Sequence, residues 1–398
     1  MQICDIKDRN LDIKNKNENK NNNNFFISVN TPVLSGNEKK YLNECIDSGW
    51  ISSDGPFIKE FEEKFAKKVD RKYGIAVCNG SVALDLAVLA LDLPRGSEVI
   101  MPTFTIISCA AAIVRAGLKI VLIDSDPEIW NMDVNQIEKK ITKNTKAIMV
   151  VHLYGLPVDM DPILELAKKY DLKIIEDAAE MHGQIYKNKK CGSFGDISTF
   201  SFYANKHITT GEGGMIVTDN QELAQKCQSL RNLCFKPERR FVHDELGFNY
   251  RITNMQAALG LAQLEKLDET VNKKRWIGKL YTENLQSLSD ILQLPLVKTE
   301  YAQNIYWVYG LVLKNKIKFD AQEIMQKLQN RGVGTRPFFW CMHEQPVFKK
   351  MDLFNDQNYP VAQNMARRGF YLPSGLNLQE EQILKVCEIF KEILGECI

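Results

Sequence analysis

Apolar runs of strand length alternate with helical patterns between residues 74 and 218. In stretches such as 81–91 and 159–169, apolar residues recur at three- and four-residue spacing, which is typical of amphipathic helices. Strand, helix, strand repetition of this kind predicts a largely parallel sheet that is covered by helices on both faces, hence an α/β fold. The predicted strands are 74–78, 98–104, 119–124, 147–154, 173–177, 197–203 and 214–218.

Functional side chains in such a sheet lie beyond the carboxyl ends of its strands. Asp177 ends one predicted strand, and Lys206 follows another by three residues. A lysine amine forms a Schiff base with an aldehyde cofactor, and an aspartate against a pyridine nitrogen keeps that nitrogen protonated. Each residue alone has an ordinary explanation, a solvated charge or a helix cap, but together they predict a pyridoxal phosphate site with Lys206 as its catalytic residue.

The phosphate of such a cofactor needs hydrogen-bond donors. Asn79, Gly80 and Ser81 follow the first predicted strand and open a helix, whose free backbone N–H groups attract anions. Ser201 offers a hydroxyl at a second point, and Phe104, at another strand end, is expected to lay its ring on the pyridine. An Asn-Gly-Ser sequence also caps ordinary helices, and a strand-end phenylalanine is also typical of a core.

These residues carry a resemblance to the DegT/DnrJ/EryC1/StrS family of sugar aminotransferases. The resemblance extends from about residue 30 to the end of the chain, and is greatest to the perosamine synthase branch, the nucleotide-sugar 4-aminotransferases. The matching segments are Ser48-Gly49-Trp50-Ile51-Ser52-Ser53, Cys78-Asn79-Gly80-Ser81, Met101-Pro102-Thr103-Phe104-Thr105, His152-Leu153-Tyr154-Gly155, Glu176-Asp177-Ala178-Ala179-Glu180, 192–214 and Gly247-Phe248-Asn249-Tyr250-Arg251.

The resemblance implies the aspartate aminotransferase type of fold, fold type I, with pyridoxal phosphate as cofactor. It implies L-glutamate as amino donor and a nucleotide-linked 4-keto-6-deoxyhexose as acceptor at C4; it leaves GDP, UDP and dTDP open. Glu180 is expected near the ring hydroxyl, and Asn249 is expected to reach the phosphate in the neighbouring subunit of a homodimer with shared active sites. The matching positions Trp50, Ser53 and Arg251 are expected near the substrate.

Three segments are predicted from composition and pattern: a low-complexity, disordered tail at 1–28, a large cofactor-binding domain at 29–270 and a small α+β domain at 271–398. A long helical pattern at 254–288, interrupted near 268–272, leads into the small domain. Its predicted elements are a strand at 305–313 and helices at 321–330 and 380–394.

An aromatic loop of the small domain carries Arg336 and His343, which are candidates for stacking on a nucleotide base or holding a diphosphate. An ordinary packed loop with a buried tryptophan is an equally acceptable interpretation. Arg336 is also a candidate for binding the α-carboxylate of an amino acid, as in a lyase of the same fold.

Two further alternatives concern the reaction itself. Sugar 3-dehydratases of the same family carry histidine in place of the Schiff-base lysine, whereas this chain has Lys206 followed by His207. A regulatory protein with this fold would have no need to retain Lys206, Asp177 and Ser201 together.

Composition limits the remaining possibilities. The chain has 398 residues, 44% of them hydrophobic, which is enough for two domains. Its net charge of +1 gives no reason to expect nucleic acid, and its apolar runs are too short to span a bilayer. Ten cysteines show no CxxC pair and no Cys/His cluster, so we expect no metal and reduced thiols in the cytoplasm.

Overall fold

The computed structural model describes residues 26–236, 238–239 and 241–397. Most of the predicted tail, residues 1–25, lies outside the described residues. Ile27, inside that predicted tail, is 2% exposed and pairs with Val333 of the small domain. The packed chain therefore includes a residue that the predicted boundary at 28 assigned to the tail.

A seven-stranded sheet forms the centre of the large domain, in the order β1-β9-β8-β5-β4-β2-β3. β9 runs antiparallel to both of its neighbours, and the other neighbouring strands run parallel. All seven predicted strands are present, so the prediction of a mostly parallel α/β sheet is confirmed. The strands are β1 (Tyr73–Val77), β2 (Glu98–Pro102), β3 (Lys119–Ile123), β4 (Thr145–Val151), β5 (Lys173–Asp177), β8 (Ile197–Ser201) and β9 (Gly214–Thr218), and a hairpin of β6 (Ile185–Tyr186) and β7 (Lys189–Lys190) lies between β5 and β8.

Helices cover both faces of this sheet. In β1, Ile75 and Val77 pack into one apolar cluster while Ala76 packs into the other, as the two-residue period of a strand requires. Because both faces are buried, strands such as β3 and β9 are apolar runs without polar alternation. The helices of this part are α1 (Glu38–Ser48), α2 (Pro56–Lys68), α3 (Gly80–Ala90), α4 (Ile107–Arg115), α5 (Met160–Tyr170), α6 (Gln221–Arg231) and α7 (Asn254–Glu265).

The small domain contains a four-stranded antiparallel sheet in the order β10-β11-β13-β12. Helices pack against it around a third apolar cluster. Its elements are α8 (Leu267–Leu285), β10 (Leu292–Gln293), β11 (Tyr309–Leu313), α9 (Ala321–Asn330), β12 (Arg336–Pro337), α10 (Pro346–Lys350), α11 (Pro360–Arg368), β13 (Gly369–Leu372) and α12 (Glu380–Gly395).

Two predictions about this domain were wrong in their boundaries. The helical pattern breaks at Lys266, where α7 ends, and residues 268–272 lie inside α8. The predicted strand at 305–313 begins only at Tyr309, because residues 305–308 lie outside the strand ladder. The backbone N–H of Ile305 donates instead to the carbonyl of Gly155 in the large domain. The helix α8 spans the predicted domain boundary at 270/271.

Candidate active site

The carboxyl ends of β4, β5 and β8 and the start of α3 surround a cavity of about 870 Å³. Its lining contains six predicted site residues, which come from three separate segments of the chain. These residues are Gly80, Ser81, Asp177, Glu180, Ser201 and Lys206. The structure thus brings together most of the cofactor-binding residues that the sequence predicted.

The N-terminus of α3 faces this cavity. Asn79 has extended backbone angles and caps the helix, because its Oδ1 accepts a hydrogen bond of 3.0 Å from the backbone N–H of Val82. A Cβ on Gly80 would lie 2.7 Å from the Cβ of Ser201, so glycine is needed for this close approach of the helix to β8. The unpaired N–H groups of the first helical turn and the Ser201 hydroxyl form a cradle suited to a phosphate.

Lys206 lies in the loop after β8, with its side chain 10% exposed. Its Nζ is 3.7 Å from Glu180 Oε1 and 3.8 Å from the centre of the Trp307 indole ring. Burial lowers the pKa of Lys206, while the nearby carboxylates of Glu180 and Asp177 oppose that shift. A lowered pKa increases the fraction of neutral amine, which is the form that attacks an aldehyde.

Asp177 ends β5 and is 3% exposed. Its Oδ1 accepts the backbone N–H of Ala179 at 3.0 Å, and its Oδ2 accepts the thiol of Cys109 at 3.2 Å. Burial raises the pKa of Asp177, and these two hydrogen bonds, with the positive charge of Lys206, counter that effect. The carboxylate is therefore fixed in orientation at the floor of the cavity.

Glu180 lies one turn beyond Asp177. Its Oε2 accepts the backbone N–H of Tyr154 at 2.6 Å, and burial raises its pKa to about 8. A carboxyl group that titrates near neutral pH either donates or accepts a hydrogen bond. This property suits a position next to a phenolic hydroxyl, as the family resemblance implied.

The ring of Phe104 is wholly buried, and its predicted stacking on a cofactor stays a prediction. It packs against Tyr154, Phe338 and Phe339 at centroid distances of 6.1–6.2 Å and is absent from the cavity lining. Ile106, two residues later, is 42% exposed and lines the cavity. The strand β2 ends at Pro102, and the irregular chain after it turns the Phe104 side chain into the core.

The predicted substrate residues lie outside the main cavity. Trp50 and Ser53 are exposed in the connection between α1 and α2. Arg336 lines a neighbouring cavity of about 210 Å³. Asn249 is exposed, and Arg251 donates to Asn232 Oδ1 at 2.5 Å. Their predicted contacts with substrate or with a second subunit remain predictions.

His343 is 4% exposed, and its predicted contact with a nucleotide stays a prediction. Its Nδ1 is 2.7 Å from Thr103 Oγ1, and its Nε2 is 3.1 Å from Gln363 Nε2. It borders a separate cavity of about 580 Å³ that shares no lining residue with the main one. Its contact with Thr103 joins the aromatic loop to the chain just after β2, as expected for an ordinary packed loop.

Several aromatic residues of the cavity were not predicted. Trp307 falls within the predicted strand at 305–313, but it precedes β11, and its ring lies under the amine of Lys206. The Nε1 of Trp307 donates to the carbonyl of Asn205 at 2.9 Å. The buried Lys274 donates to the backbone carbonyl of Trp307 at 2.9 Å. Other unpredicted residues of the lining include Thr105, Ile106, Ser108, Tyr250, Phe339 and Tyr371.

Two groups of potential metal ligands occur among the described residues, with ligand atoms within 4.8 Å of one another: His152, Glu176 and Cys191, and Cys341, His343 and Glu344. His152 Nδ1 accepts the N–H of Val158, and its Nε2 is 3.1 Å from Glu176 Oε1, so the chain itself supplies its partners. The nine cysteines in the described ranges are free thiols. In that part of the chain, every helix is too short or too polar to cross a membrane.

Known proteins are similar to this chain in sequence and in fold. A profile of the DegT/DnrJ/EryC1/StrS aminotransferase family matches residues 32–391. The GDP-perosamine synthase of Escherichia coli O157:H7 is 43% identical over 371 residues, which are 93% of this chain and 99% of that protein. The putative pyridoxal phosphate-dependent aminotransferase EpsN of Bacillus subtilis is 35% identical over 91% of this chain and 94% of its own length.

Solved structures agree with these sequence matches. The X-ray structure of an aminotransferase from Psychrobacter cryohalolentis superposes with a TM-score of 0.86 and 27% identity, over 92% of this chain and 98% of that one. The chain belongs to the DegT/DnrJ/EryC1/StrS aminotransferase family. The fold and the enzyme class predicted from the sequence are thereby confirmed.

Proposed function

We propose that this enzyme transfers the amino group of L-glutamate to C4 of a GDP-linked 4-keto-6-deoxyhexose, with pyridoxal phosphate as cofactor. The observation that carries the proposal is the meeting of the Lys206 amine, the Asp177 carboxylate and the N-terminus of α3 in one cavity. Similarity to an enzyme named GDP-perosamine synthase over nearly the whole of both chains supports this sugar and this nucleotide.

The cavity fits the proposed cofactor at each of its functional groups. Lys206 offers an amine to the aldehyde, Asp177 a carboxylate to the pyridine nitrogen, and Gly80, Ser81 and Ser201 offer donors to the phosphate. The Oδ1 atom of Asn205, which also lines the cavity, is buried without a hydrogen-bond partner among the residues that the structure describes. A polar ligand would supply that missing partner.

Lys206 moves the protons in both halves of the proposed reaction. When bound, pyridoxal phosphate supplies an aldehyde and a protonated ring that accepts electron density from a carbon losing its proton. Lys206 Nζ, whose lowered pKa increases the fraction of neutral amine, takes the α-proton of glutamate and later delivers a proton to C4 of the sugar. Glu180 and Trp307 limit its movement, so one base serves both substrates from one side.

Two features oppose the alternative reactions. A lysine at position 206 gives the chain the amine that a 3-dehydratase of this family lacks. A regulatory protein would not need the buried carboxylate of Asp177 at the cavity floor.

A homodimer completes the proposed site. Asn249 is exposed and lies outside its own cavity, and apolar side chains are exposed near the cavity mouth, including Ile106, Ile107 and Tyr203. A second copy of the chain would bury these groups and bring Asn249 of the partner subunit to the cofactor phosphate. The free thiols are typical of a cytoplasmic enzyme, and we place the reaction there.

An isotope-transfer assay tests the function. The enzyme would be mixed with pyridoxal phosphate, L-glutamate labelled at its amino nitrogen, and a GDP-linked 4-keto-6-deoxyhexose, with dTDP- and UDP-linked sugars in parallel. We expect the label at C4 of the GDP sugar, as detected by mass spectrometry, and no labelled product with Lys206→Ala. An unlabelled product that has lost a hydroxyl group would show dehydration instead, and no change in any sugar would contradict the proposal.

A further inference from the structure

Cys109 is the side chain that holds the second oxygen of Asp177. It lies on α4, is 0% exposed, and donates from Sγ to Asp177 Oδ2 at 3.2 Å. Thr105 Oγ1 is 3.6 Å from the same sulfur. Because the thiol proton points to Asp177, the Thr105 hydroxyl donates to the sulfur, and the three groups form one chain of hydrogen bonds.

The two oxygens of Asp177 are held by different parts of the fold. The backbone N–H of Ala179 binds Oδ1 and comes from the same loop as Asp177 itself, so it moves with that loop. The thiol binds Oδ2 and comes from α4, which packs on the neighbouring part of the sheet. The plane of the carboxylate is therefore fixed against a second element through Cys109.

We infer that Cys109 is a positioning residue that orients Asp177 and keeps it ionised for a protonated pyridine nitrogen. The inference rests on the proposed function, since it assigns Asp177 to that nitrogen. A hydrogen bond to a carboxylate favours its ionised form, and only the ionised form pairs with a cationic ring. The thiol itself stays protonated, because burial and the charge of Asp177 raise its pKa.

Other titratable groups also lie near Asp177. Lys206, from the loop after β8, favours the ionised carboxylate, and the imidazole of His152 lies at the end of β4. Glu180, from the loop after β5, carries a carboxyl group whose pKa is raised by burial and, to a smaller extent, by the charge of Asp177. Substituting Cys109 leaves these three groups in place and removes only the donor from α4.

Three variants separate this role from packing. Cys109→Val removes the donor at nearly constant volume, and Cys109→Ser restores a donor. Cys227→Val makes the same change at another wholly buried cysteine, on α6, which has no contact with Asp177. The readout is the dissociation constant of pyridoxal phosphate, measured by titration from pH 5 to 9 and independently of turnover.

We expect Cys109→Val to weaken cofactor binding roughly tenfold at neutral pH, since a hydrogen bond to a charged group is lost. Its affinity should also fall at a higher pH on acidification than that of the wild type, because the carboxylate protonates more readily. Cys109→Ser should return both properties towards the wild type, and Cys227→Val should leave them unchanged.

If the wild type binds the cofactor, equal cofactor affinity and equal pH dependence for Cys109→Val and Cys227→Val would overturn the inference and leave the proposed function standing. A serine variant that behaves like the valine variant would also overturn it, because the effect would then come from packing. Failure of the wild type to bind pyridoxal phosphate would overturn the inference together with the proposed function.

Discussion

The amine of Lys206 and the carboxyl of Glu180 share a buried space in which neither ordinary charge state is favoured. Burial raises the pKa of Glu180 to about 8 and lowers that of Lys206. At a separation of 3.7 Å the two groups counter each other's shifts.

Phe104 and Ile106 give a direct comparison of core and cavity at the residue scale. Phe104→Ala removes a wholly buried ring and should lower the free energy of unfolding by about 3–5 kcal/mol. Ile106→Ala alters a half-exposed side chain, so we expect a change of about 0.5 kcal/mol or less, together with weaker binding of pyridoxal phosphate. Chemical denaturation and cofactor titration of both variants measure these effects. Weaker cofactor binding in Phe104→Ala than in Ile106→Ala would instead support Phe104 as the stacking residue.

His182 is a wholly buried imidazole on the connection after β5. Burial lowers its pKa to about 3. The His182 imidazole is protonated below about pH 6.5 in the unfolded chain, but only below about pH 3 in the folded chain. The folded state therefore loses stability as pH falls from about 6.5 to about 3. His182→Leu should remove this loss.

Without cofactor, the free energy of unfolding of His182→Leu should rise relative to that of the wild type as pH falls from about 6 to about 4. We expect this difference to grow by up to about 1.4 kcal/mol per pH unit. Urea denaturation at several pH values measures the difference between the two proteins. A difference that stays constant over this range would show that His182 is not held neutral in the fold.

At the scale of elements, the N-terminus of α3 and that of α9 allow a matched test. Asn79 caps α3 at the cavity, and Asp320 caps α9 on the small domain with its Oδ1 3.0 Å from the N–H of Glu323. Asn79→Ala and Asp320→Ala should each cost about 1 kcal/mol of stability. Only Asn79→Ala should also weaken the binding of pyridoxal phosphate, because only that helix start faces the cavity.

Denaturation curves and cofactor titrations of the same two variants provide the measurement. Equal cofactor affinity in both would contradict the assignment of the α3 N-terminus to the phosphate. Asp320→Ala serves as the control for a general loss of stability.

Sequence patterns predicted these elements well where the chain is periodic and buried. The seven central strands and the helices α3, α5, α9 and α12 follow from local apolar spacing. The patterns failed where tertiary packing decides, as at Lys266, where one long helical pattern divides into two helices, and at Trp307, whose apolar neighbours resemble a strand. Nothing local in the sequence shows which way the Phe104 side chain turns after its strand ends.

At the scale of the whole molecule, the proposed dimer predicts that two inactive variants restore activity together. Lys206→Ala lacks the base in its own site, and Asn249→Asp would repel the phosphate in its partner's site. A mixed dimer contains one site with an intact Lys206 and an intact Asn249 from the partner subunit. Mixing the two variants under conditions that allow subunit exchange should therefore restore part of the aminotransferase activity.

Each variant kept alone is the control for that experiment, and the mass of the particle in solution is the supporting measurement. A monomeric enzyme with full activity would contradict the shared site. If the enzyme is a dimer but mixing restores no aminotransferase activity, Asn249 lies outside the shared active site.

The central claim is that Lys206 carries amino transfer in a pyridoxal phosphate site, and the absorption spectrum of the enzyme tests it most directly. The purified protein would be saturated with pyridoxal phosphate and then given L-glutamate, beside Lys206→Ala. We predict that the wild-type spectrum changes to that of pyridoxamine phosphate as 2-oxoglutarate forms, while the variant makes no 2-oxoglutarate. A wild-type spectrum that glutamate leaves unchanged, or a wild-type protein that shows no absorption from bound cofactor, would contradict the claim.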